Sequence, residues 1–358
     1  MALRDFSSVE YLPLLTVSNA EMRGLQELPN VDKDLLLPYF QLRPWGVSHE
    51  LRSTVNRIIE AYGERPFLVD ICAPVPPTGE PRTVHAELDA LRDPAGGYSA
   101  WCEYVESHAF MIPTLQLRDL SQLRLQVQRL YALGRGLAVY IPQLALPQLQ
   151  NIIGLIAGLT EQGSDVIVII DLGQRDRELL ITQALTSGYV RTVINAAPQI
   201  SIAISASSFP SDFVGLAAQD IYERQHYEGV KLNFPGNRLI YSDRGGARAE
   251  RQMGGGGTPA PRVDLASRQN WSFFRDASGG DRSVGYVTQS LAAIASAAWD
   301  PALRVWGYQM IERTAGGDIT AIRSPVSSSA VRINIHLHQQ LFFNNRLGLY
   351  ETDDEWDD

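Results

Sequence analysis

Short apolar runs alternate with amphipathic segments along most of this 358-residue chain, and this alternation constrains the fold more than any other feature. Eight of the runs have the length of a strand, and several are almost continuous in valine, isoleucine and leucine. Strands that are covered on both faces have this composition, as the strands of parallel sheets do. The runs are 12–17, 35–42, 66–72, 111–117, 137–142, 166–172, 200–207 and 239–243.

Segments with apolar residues at helical spacing separate these runs. Repeated strand-then-helix units connect through right-handed crossovers and form a parallel sheet. Eight units over about 240 residues predict a closed (β/α)₈ TIM-type barrel. An open doubly wound sheet is the alternative, but no glycine-rich phosphate motif follows any of these runs. The predicted helices include 49–62, 121–133, 146–159, 177–186 and 213–227.

The regular alternation ends after the eighth run. Residues 244–262 contain four consecutive glycines, Gly254–Gly257, and predict a flexible insertion rather than a domain boundary. An aromatic stretch follows at 271–276, where packing is favoured over stacking on a base. We then predict a helix at 284–299, a strand or helix at 303–312 and a closing segment at 327–343. The expected organisation is one barrel domain over 1–343 with an acidic tail over 344–358.

Charge and cysteine content narrow the function classes. The net charge is −9, but six of the 40 acidic residues lie within the last eight positions. The rest of the chain is nearly balanced, which disfavours a uniformly basic nucleic-acid surface and still allows a local basic patch. The two cysteines form no CxxC pair, so the sequence predicts neither a zinc ribbon nor a thioredoxin-like site. Without an eighteen-residue apolar run or a signal peptide, we expect a cytoplasmic protein that does not enter membranes.

In a barrel of this class, chemistry is placed where the strands end and the βα loops gather. Three carboxylates lie at such ends, Asp70, Asp171 and Asp243, and they are the candidate catalytic residues. Three convergent acids can hold a divalent cation or divide into an acid and a base. The structural alternative is that each acid caps a helix or pairs with a nearby arginine. The candidate ligand- or anion-binding residues at the same ends are Gln41, Arg43, Gln116, Arg118, Gln143 and Arg244.

Histidines and cysteines add no predicted metal centre. No strand end carries a histidine, which argues against a histidine-rich zinc site. His336 and His338 would share a face in a strand but would point about 160° apart in a helix. We therefore predict that they do not share a metal ion. Cys72 is predicted to be a small buried residue rather than a nucleophile.

Several stretches resemble the phage and bacterial beta family. They are the opening 11–15, the region 21–28, the run 35–42, Asp70 in the third run, and an altered D-Y-G motif at 242–245. The resemblance implies a single barrel-like domain, a helix over 328–341, and an association with phages, mobile elements and defence loci. It implies no settled reaction. The chain departs from the family where a glutamate is replaced by Gln41 or Arg43, and where an Asn-His-His motif is replaced by Arg332, Asn334 and His336.

Three functional hypotheses follow. The first is a barrel that acts in phage or anti-phage biology by binding a macromolecular partner, most simply a protein, with the acidic tail and the glycine-rich loop as partner elements. The second is a hydrolase or phosphodiesterase at the barrel mouth, using acid–base chemistry or a divalent cation. The third is nucleic-acid binding through Arg244, Arg248, Arg251 and Arg262. Convergence of the three carboxylates would favour the enzyme.

Overall fold

The computed structural model describes residues 2–74, 79–237, 239–249, 259–275 and 279–352. Every one of the eight predicted runs forms a strand, because each supplies apolar side chains to both faces of one central sheet. The described strands are β1 (Tyr11–Thr16), β2 (Tyr39–Leu42), β3 (Phe67–Ile71), β4 (Met111–Pro113), β5 (Leu137–Pro142), β6 (Val166–Gln174), β7 (Ser201–Ser207), β8 (Ala218–Asp220), β9 (Leu239–Asp243), β10 (Arg262–Ala266) and β11 (Asn270–Arg275).

The central sheet is parallel throughout and closes on itself. Its order is β4-β3-β2-β1-β9-β7-β6-β5. A parallel bridge between Thr114 and Ala138 joins the two edge strands, and the Leu115 amide donates to the Ala138 carbonyl at 2.9 Å. The prediction of a TIM-type barrel is therefore confirmed, and the open doubly wound sheet is wrong.

Helices cover the outside of the barrel. The stretch 213–227 is helical only in its second part, because residues 218–220 form β8. The closing segment is a helix, as the family resemblance implied. The described α-helices are α1 (Asn19–Gln26), α2 (Asn30–Leu35), α3 (Arg52–Tyr62), α4 (Thr83–Leu91), α5 (Ala95–Glu106), α6 (Leu123–Tyr131), α7 (Leu149–Ala157), α8 (Gln183–Ala196), α9 (Tyr222–Lys231), α10 (Arg282–Ile294), α11 (Trp306–Ala315) and α12 (Pro325–Leu341).

A small antiparallel sheet, in the order β10-β11-β8, lies beside the barrel. The apolar pattern of the sequence did not predict this sheet. Trp271 of β11 is completely buried, and its ring meets that of Phe209 edge-on with 5.0 Å between the centroids. The aromatic stretch therefore packs within the protein, in agreement with the packing interpretation.

Helix α12 is buried along most of its length although it is rich in polar residues. Its N-terminus is fixed by a capping box between Ser324 and Ser327. The Asn334 side chain donates to the Gly24 carbonyl at 3.1 Å and accepts from the Gly307 amide at 2.9 Å. These two hydrogen bonds tie α12 to α1 and α11 at points where glycine allows close contact.

Two predicted features extend beyond the described residues. Residues 250–258 of the glycine-rich segment and 353–358 of the acidic tail lie outside them. On either side of the glycines, Arg244 follows β9 directly and Arg262 begins β10. Within 344–352, Leu349 is buried and its carbonyl contacts His338 at 2.9 Å. This part of the segment therefore packs on the domain. None of the described helices combines the length and apolarity needed to cross a bilayer.

The close approach of α1 to α12 yields a stability prediction. A Cβ atom at Gly24 would lie 2.8 Å from the Ala330 carbonyl oxygen, so Gly24→Ala should destabilise the fold by about 1–3 kcal/mol through overpacking. Gly154 in α7 has nothing within 4 Å of its Cβ position, so Gly154→Ala should stabilise by about 0.5–1 kcal/mol. Urea unfolding of both variants measures the difference. Equal effects of the two substitutions would contradict the packing described for α1 and α12.

Candidate functional site

The alternation of side chains along each strand determines which polar residues enter the barrel. Leu68, Ile167, Ile240 and other residues of the same parity form a buried cluster inside it. Two positions further along the same strands, polar residues face the barrel lumen near its C-terminal mouth. By this parity, the lumen-facing residues are Thr16, Gln41, Asp70, Thr114, Gln116, Asp171, Ser205, Ser242 and Arg244.

Asp70 is buried at the end of β3. Its carboxyl group accepts hydrogen bonds from the Tyr39 hydroxyl of the neighbouring strand, from Gln116 Nε2 at 2.6 Å and from the Ile71 amide at 2.7 Å. Burial raises the pKa of Asp70, and the hydrogen bonds offset this only in part. The group can therefore hold a proton above the usual range of an aspartate.

Asp171 of β6 has a different environment. It forms an ion pair with Arg244 and accepts from the Tyr140 hydroxyl at 2.5 Å. The rings of Tyr39 and Tyr140 stack with 5.3 Å between their centroids, so the two aspartate–tyrosine pairs meet inside the barrel. Arg244 is paired with Asp171, which is the arrangement expected under the structural alternative.

Asp243 lies on the opposite face of its strand, outside the lumen. It accepts from the Tyr11 hydroxyl at 2.6 Å, the Tyr241 hydroxyl at 2.8 Å and the Gly245 amide at 2.7 Å. His336 Nε2 of α12 contacts it at 2.6 Å. Burial would raise the pKa of Asp243, but the charge of His336 and these hydrogen bonds lower it.

The three candidate carboxylates therefore do not converge. Asp70 and Asp171 face the lumen, whereas Asp243 faces the helical layer. Within the described part of the chain, no three histidine, cysteine, aspartate or glutamate side chains group closely enough to hold a metal ion. A divalent cation bound by all three aspartates is thus inconsistent with the barrel register.

Three buried hydroxyl groups near the mouth have no hydrogen-bond partner among the described residues. They belong to Thr114, Ser205 and Ser242, and Asp171, Ser205 and Ser242 lie in register on adjacent strands. A buried polar group without a partner is costly, so these hydroxyls are suited to a ligand or water.

The remaining predicted residues occupy separate positions. Gln116 binds Asp70, as described above, and Gln41 lies beside Tyr39. Gln143 is exposed at the start of a 3₁₀ turn after β5. Arg118 lines a surface depression with Arg92. The Arg43 carbonyl accepts from the Thr54 hydroxyl at 2.6 Å.

The residues missed from the sequence are the tyrosine partners of the aspartates. Tyr11, Tyr39 and Tyr140 each donate to an aspartate on an adjacent strand, and only the strand register reveals such pairs. His336 and His338 bind different acids, since His338 contacts Asp32 at 2.6 Å. The prediction that they share no metal ion agrees with this helical geometry. Tyr241 and Asp243, two residues apart on one strand face, were the pair that periodicity alone could have identified.

Cys72 was predicted to be a small buried residue, but its side chain is only partly buried. Burial raises the pKa of its thiol, although the charges of Arg92 and Arg43 act in the opposite direction. A thiol with a raised pKa remains protonated near neutral pH and is a poor nucleophile.

The closed parallel barrel and its polar mouth define a TIM-type (β/α)₈ barrel protein. The family model described as Beta protein matches residues 11–342, so the chain belongs to the Beta protein family. It is 26% identical over 362 residues to Protein beta of Enterobacteria phage P4, and the alignment covers 98% of each chain. The resemblance found in the sequence is confirmed.

Among solved structures, the chain is similar to the carboxyl transferase domain of Rhizobium etli pyruvate carboxylase with pyruvate and biocytin. The two structures superpose with a TM-score of 0.39 at 9% sequence identity. The match covers 99% of this chain and 50% of that chain, so this chain spans about half of its length.

The environment of Asp70 predicts that the free energy of unfolding depends on pH. Because burial raises its pKa in the folded state above the unfolded value of about 3.9, ionisation of Asp70 opposes folding as the pH rises. The Asp70→Asn variant lacks this ionisation. Between about pH 4 and pH 8 we expect the free energy of unfolding of the wild type to fall relative to that of the variant.

Urea unfolding at several pH values tests this expectation. The Asp34→Asn variant, at an exposed carboxylate, controls for the loss of one acidic group. A difference between wild type and Asp70→Asn that stays constant over the whole pH range would contradict the described environment of Asp70.

Proposed function

We propose that this Beta protein family member acts by binding a protein partner at the C-terminal rim of its barrel. The observation that carries the proposal is a set of solvent-exposed aliphatic side chains on the loops that follow the barrel strands, which form the rim. Val47, Leu144, Ile181 and Val214 are 78–94% exposed, and they follow β2, β5, β6 and β7. Exposed apolar groups that gather on one face are typical of protein-binding surfaces.

The arrangement of these loops supports a continuous surface. Strands β5, β6 and β7 are neighbours in the barrel, so Leu144, Ile181 and Val214 lie on three consecutive loops of the rim. Aliphatic side chains favour a protein over a nucleic acid, which requires basic and aromatic groups. The relationship to a phage protein supports placing this binding in phage or anti-phage biology, within the cytoplasm.

The chemistry of the mouth also favours binding over catalysis. Asp171 is bound by an arginine and Asp243 by a histidine, and each of the three aspartates accepts a tyrosine hydroxyl. Groups held in this way position the barrel's loops and helices. They support the interpretation of the carboxylates as structural.

The rim is tested by one substitution and a control at the other end of the barrel. Ile181→Asp should abolish recovery of the partner in a pull-down from phage-infected cells. The substitution places a charge where the proposed complex would bury an apolar side chain. Leu232, 82% exposed, follows α9 and so lies at the opposite end of the barrel. Leu232→Asp should retain the partner.

Binding of the recovered protein to purified wild type and to both variants then gives dissociation constants. We expect Ile181→Asp to weaken binding at least tenfold, or by about 1.4 kcal/mol. Equal affinities of the two variants would show that the rim is not the docking surface.

A second candidate function, hydrolysis of a phosphodiester at the mouth, is favoured by the state of Asp70. A buried carboxyl group with a raised pKa is suited to general acid catalysis, and the Thr114, Ser205 and Ser242 hydroxyls have no partner. Arg43 and Arg244 were the predicted phosphate contacts, but Arg244 is held by Asp171. This candidate therefore ranks below protein binding.

Hydrolysis of bis(p-nitrophenyl) phosphate, with and without Mg²⁺, tests the second candidate. Loss of the proton donor should reduce the rate about 100-fold in Asp70→Asn, while Asp34→Asn should retain it. Absence of hydrolysis by the wild type under both conditions would count against a phosphodiesterase, and an effect of Mg²⁺ would identify a role for a divalent cation.

A further inference from the structure

A cavity of about 460 Å³ lies outside the barrel lumen. Its walls come from the loops after β7 and β9, from the β10–β11 ribbon, and from the first turns of α10 and α12. The lining includes Phe209, Phe213, Arg248, Arg262, Arg275 and Arg332. None of the lining residues belongs to the rim surface or to the Asp70 site.

The lining is strongly cationic. Arg248, Arg262, Arg275 and Arg332 face the cavity, and Asp212 is the acid among the described residues that line it. Behind the lining, Asp264 pairs with both Arg262 at 2.7 Å and Arg332 at 3.0 Å. The four arginines carry four positive charges, and Asp212 and Asp264 carry two negative ones. Two positive charges therefore remain uncompensated among the described groups of this site.

Two of these arginines are held rigidly. Arg262 stacks over the Phe213 ring with 3.6 Å between its guanidinium carbon and the ring centroid. Arg332 lies in the same way over Phe209 at 4.1 Å. A guanidinium group fixed by an aspartate and an aromatic ring keeps its remaining N–H groups in a constant direction, which suits bidentate recognition of an oxyanion.

Arg332 also has an unused donor. Its side chain is only 8% exposed, and its Nε has no hydrogen-bond partner. Burial lowers the pKa of Arg332 to about 10, the charge of Asp264 raises it, and the charge of Arg262 lowers it. The pKa of Arg248 is also lowered, by burial and by the charge of Arg262. An anion bound in the cavity would offset the repulsion among these guanidinium groups.

We propose that this cavity is a binding site for the phosphate or pyrophosphate group of a small phosphorylated molecule. Four arginines supply the donors, and the first turn of α12 adds the positive end of a helix dipole. The volume falls in the range of small-molecule sites. The loops after the seventh and eighth strands of TIM barrels form phosphate sites in other proteins, which is support by analogy of fold.

A small ligand fits the site better than a nucleic acid does. The faces of Phe209 and Phe213 are covered by Arg332 and Arg262, so they are not open for stacking of bases. The four arginines lie together at one cavity on a chain whose net charge is −9. Two of the four arginines predicted for nucleic-acid binding, Arg248 and Arg262, line this cavity. Arg244 is buried in its ion pair with Asp171, and Arg251 lies outside the described residues.

Titration calorimetry of the full chain with inorganic phosphate and pyrophosphate, at constant ionic strength, tests the proposal. We expect saturable binding of pyrophosphate with one site per chain, and at least a tenfold increase in Kd for Arg248→Gln. The exposed Arg275→Gln variant removes a lining charge without a structural hydrogen bond and should weaken binding in the same direction. Arg304→Gln, at an exposed arginine remote from the cavity, should leave Kd unchanged.

Several outcomes would overturn the proposal. One is that neither probe binds saturably to the wild type. Another is that Arg248→Gln and Arg275→Gln bind like Arg304→Gln. A third is that a single-stranded oligonucleotide of twelve thymidines binds at least tenfold more tightly than pyrophosphate and loses its affinity in the same two variants, which would assign the cavity to nucleic acid. Ile181→Asp should retain pyrophosphate binding, so failure of the rim proposal and failure of this one are distinguishable.

Discussion

Closure of the parallel sheet by hydrogen bonds between β4 and β5 is the constraint on which the rest of the structure depends. In a closed barrel every side chain of a strand faces either the lumen or the helical layer, and neighbours alternate. This rule sends Asp70 and Asp171 inward and Asp243 outward, although all three lie at strand ends. The separation of the three carboxylates thus follows from register alone.

The two environments give the aspartates different properties. In the lumen, Asp70 has amide and hydroxyl donors and no directly bound cation, and burial raises its pKa. On the outer face, Asp243 has His336 as a partner, and its pKa is lowered. A tyrosine hydroxyl donates a hydrogen bond to each of these two carboxylates, although their pKa values shift in opposite directions. The tyrosine bonds therefore do not determine whether the carboxylate is ionised. The charge is decided by whether a cationic side chain is within reach.

The sequence predicted the barrel well because a strand buried on both faces needs a continuous apolar run, and such runs are visible without an alignment. The β10–β11 ribbon was missed because short antiparallel strands such as Arg262–Ala266 carry mixed polar and apolar residues. The helix predicted over 213–227 began too early because the apolar residues near Phe213 pack against Phe273 instead of following a helical face.

The site was less predictable than the fold. Asp70, Asp171, Gln116 and Arg244 were identified at the mouth from the strand ends, because position in a barrel is a local property. The tyrosine partners of the aspartates were not identified. Tyr11 and Asp243, for example, are 232 residues apart in the chain and meet only when β1 pairs with β9. The arginine cavity assembles residues from five segments of the chain. Of its four arginines, only Arg248 and Arg262 had been predicted to bind a ligand.

The polar composition of α12 has a consequence for how the chain is made. During synthesis the eight barrel strands leave the ribosome before residues 325–341 do. Until then Asp243 lacks His336 and Asp32 lacks His338, so these two buried contacts can form only after α12 has been synthesised. Completion of the fold therefore requires the C-terminal part of the chain.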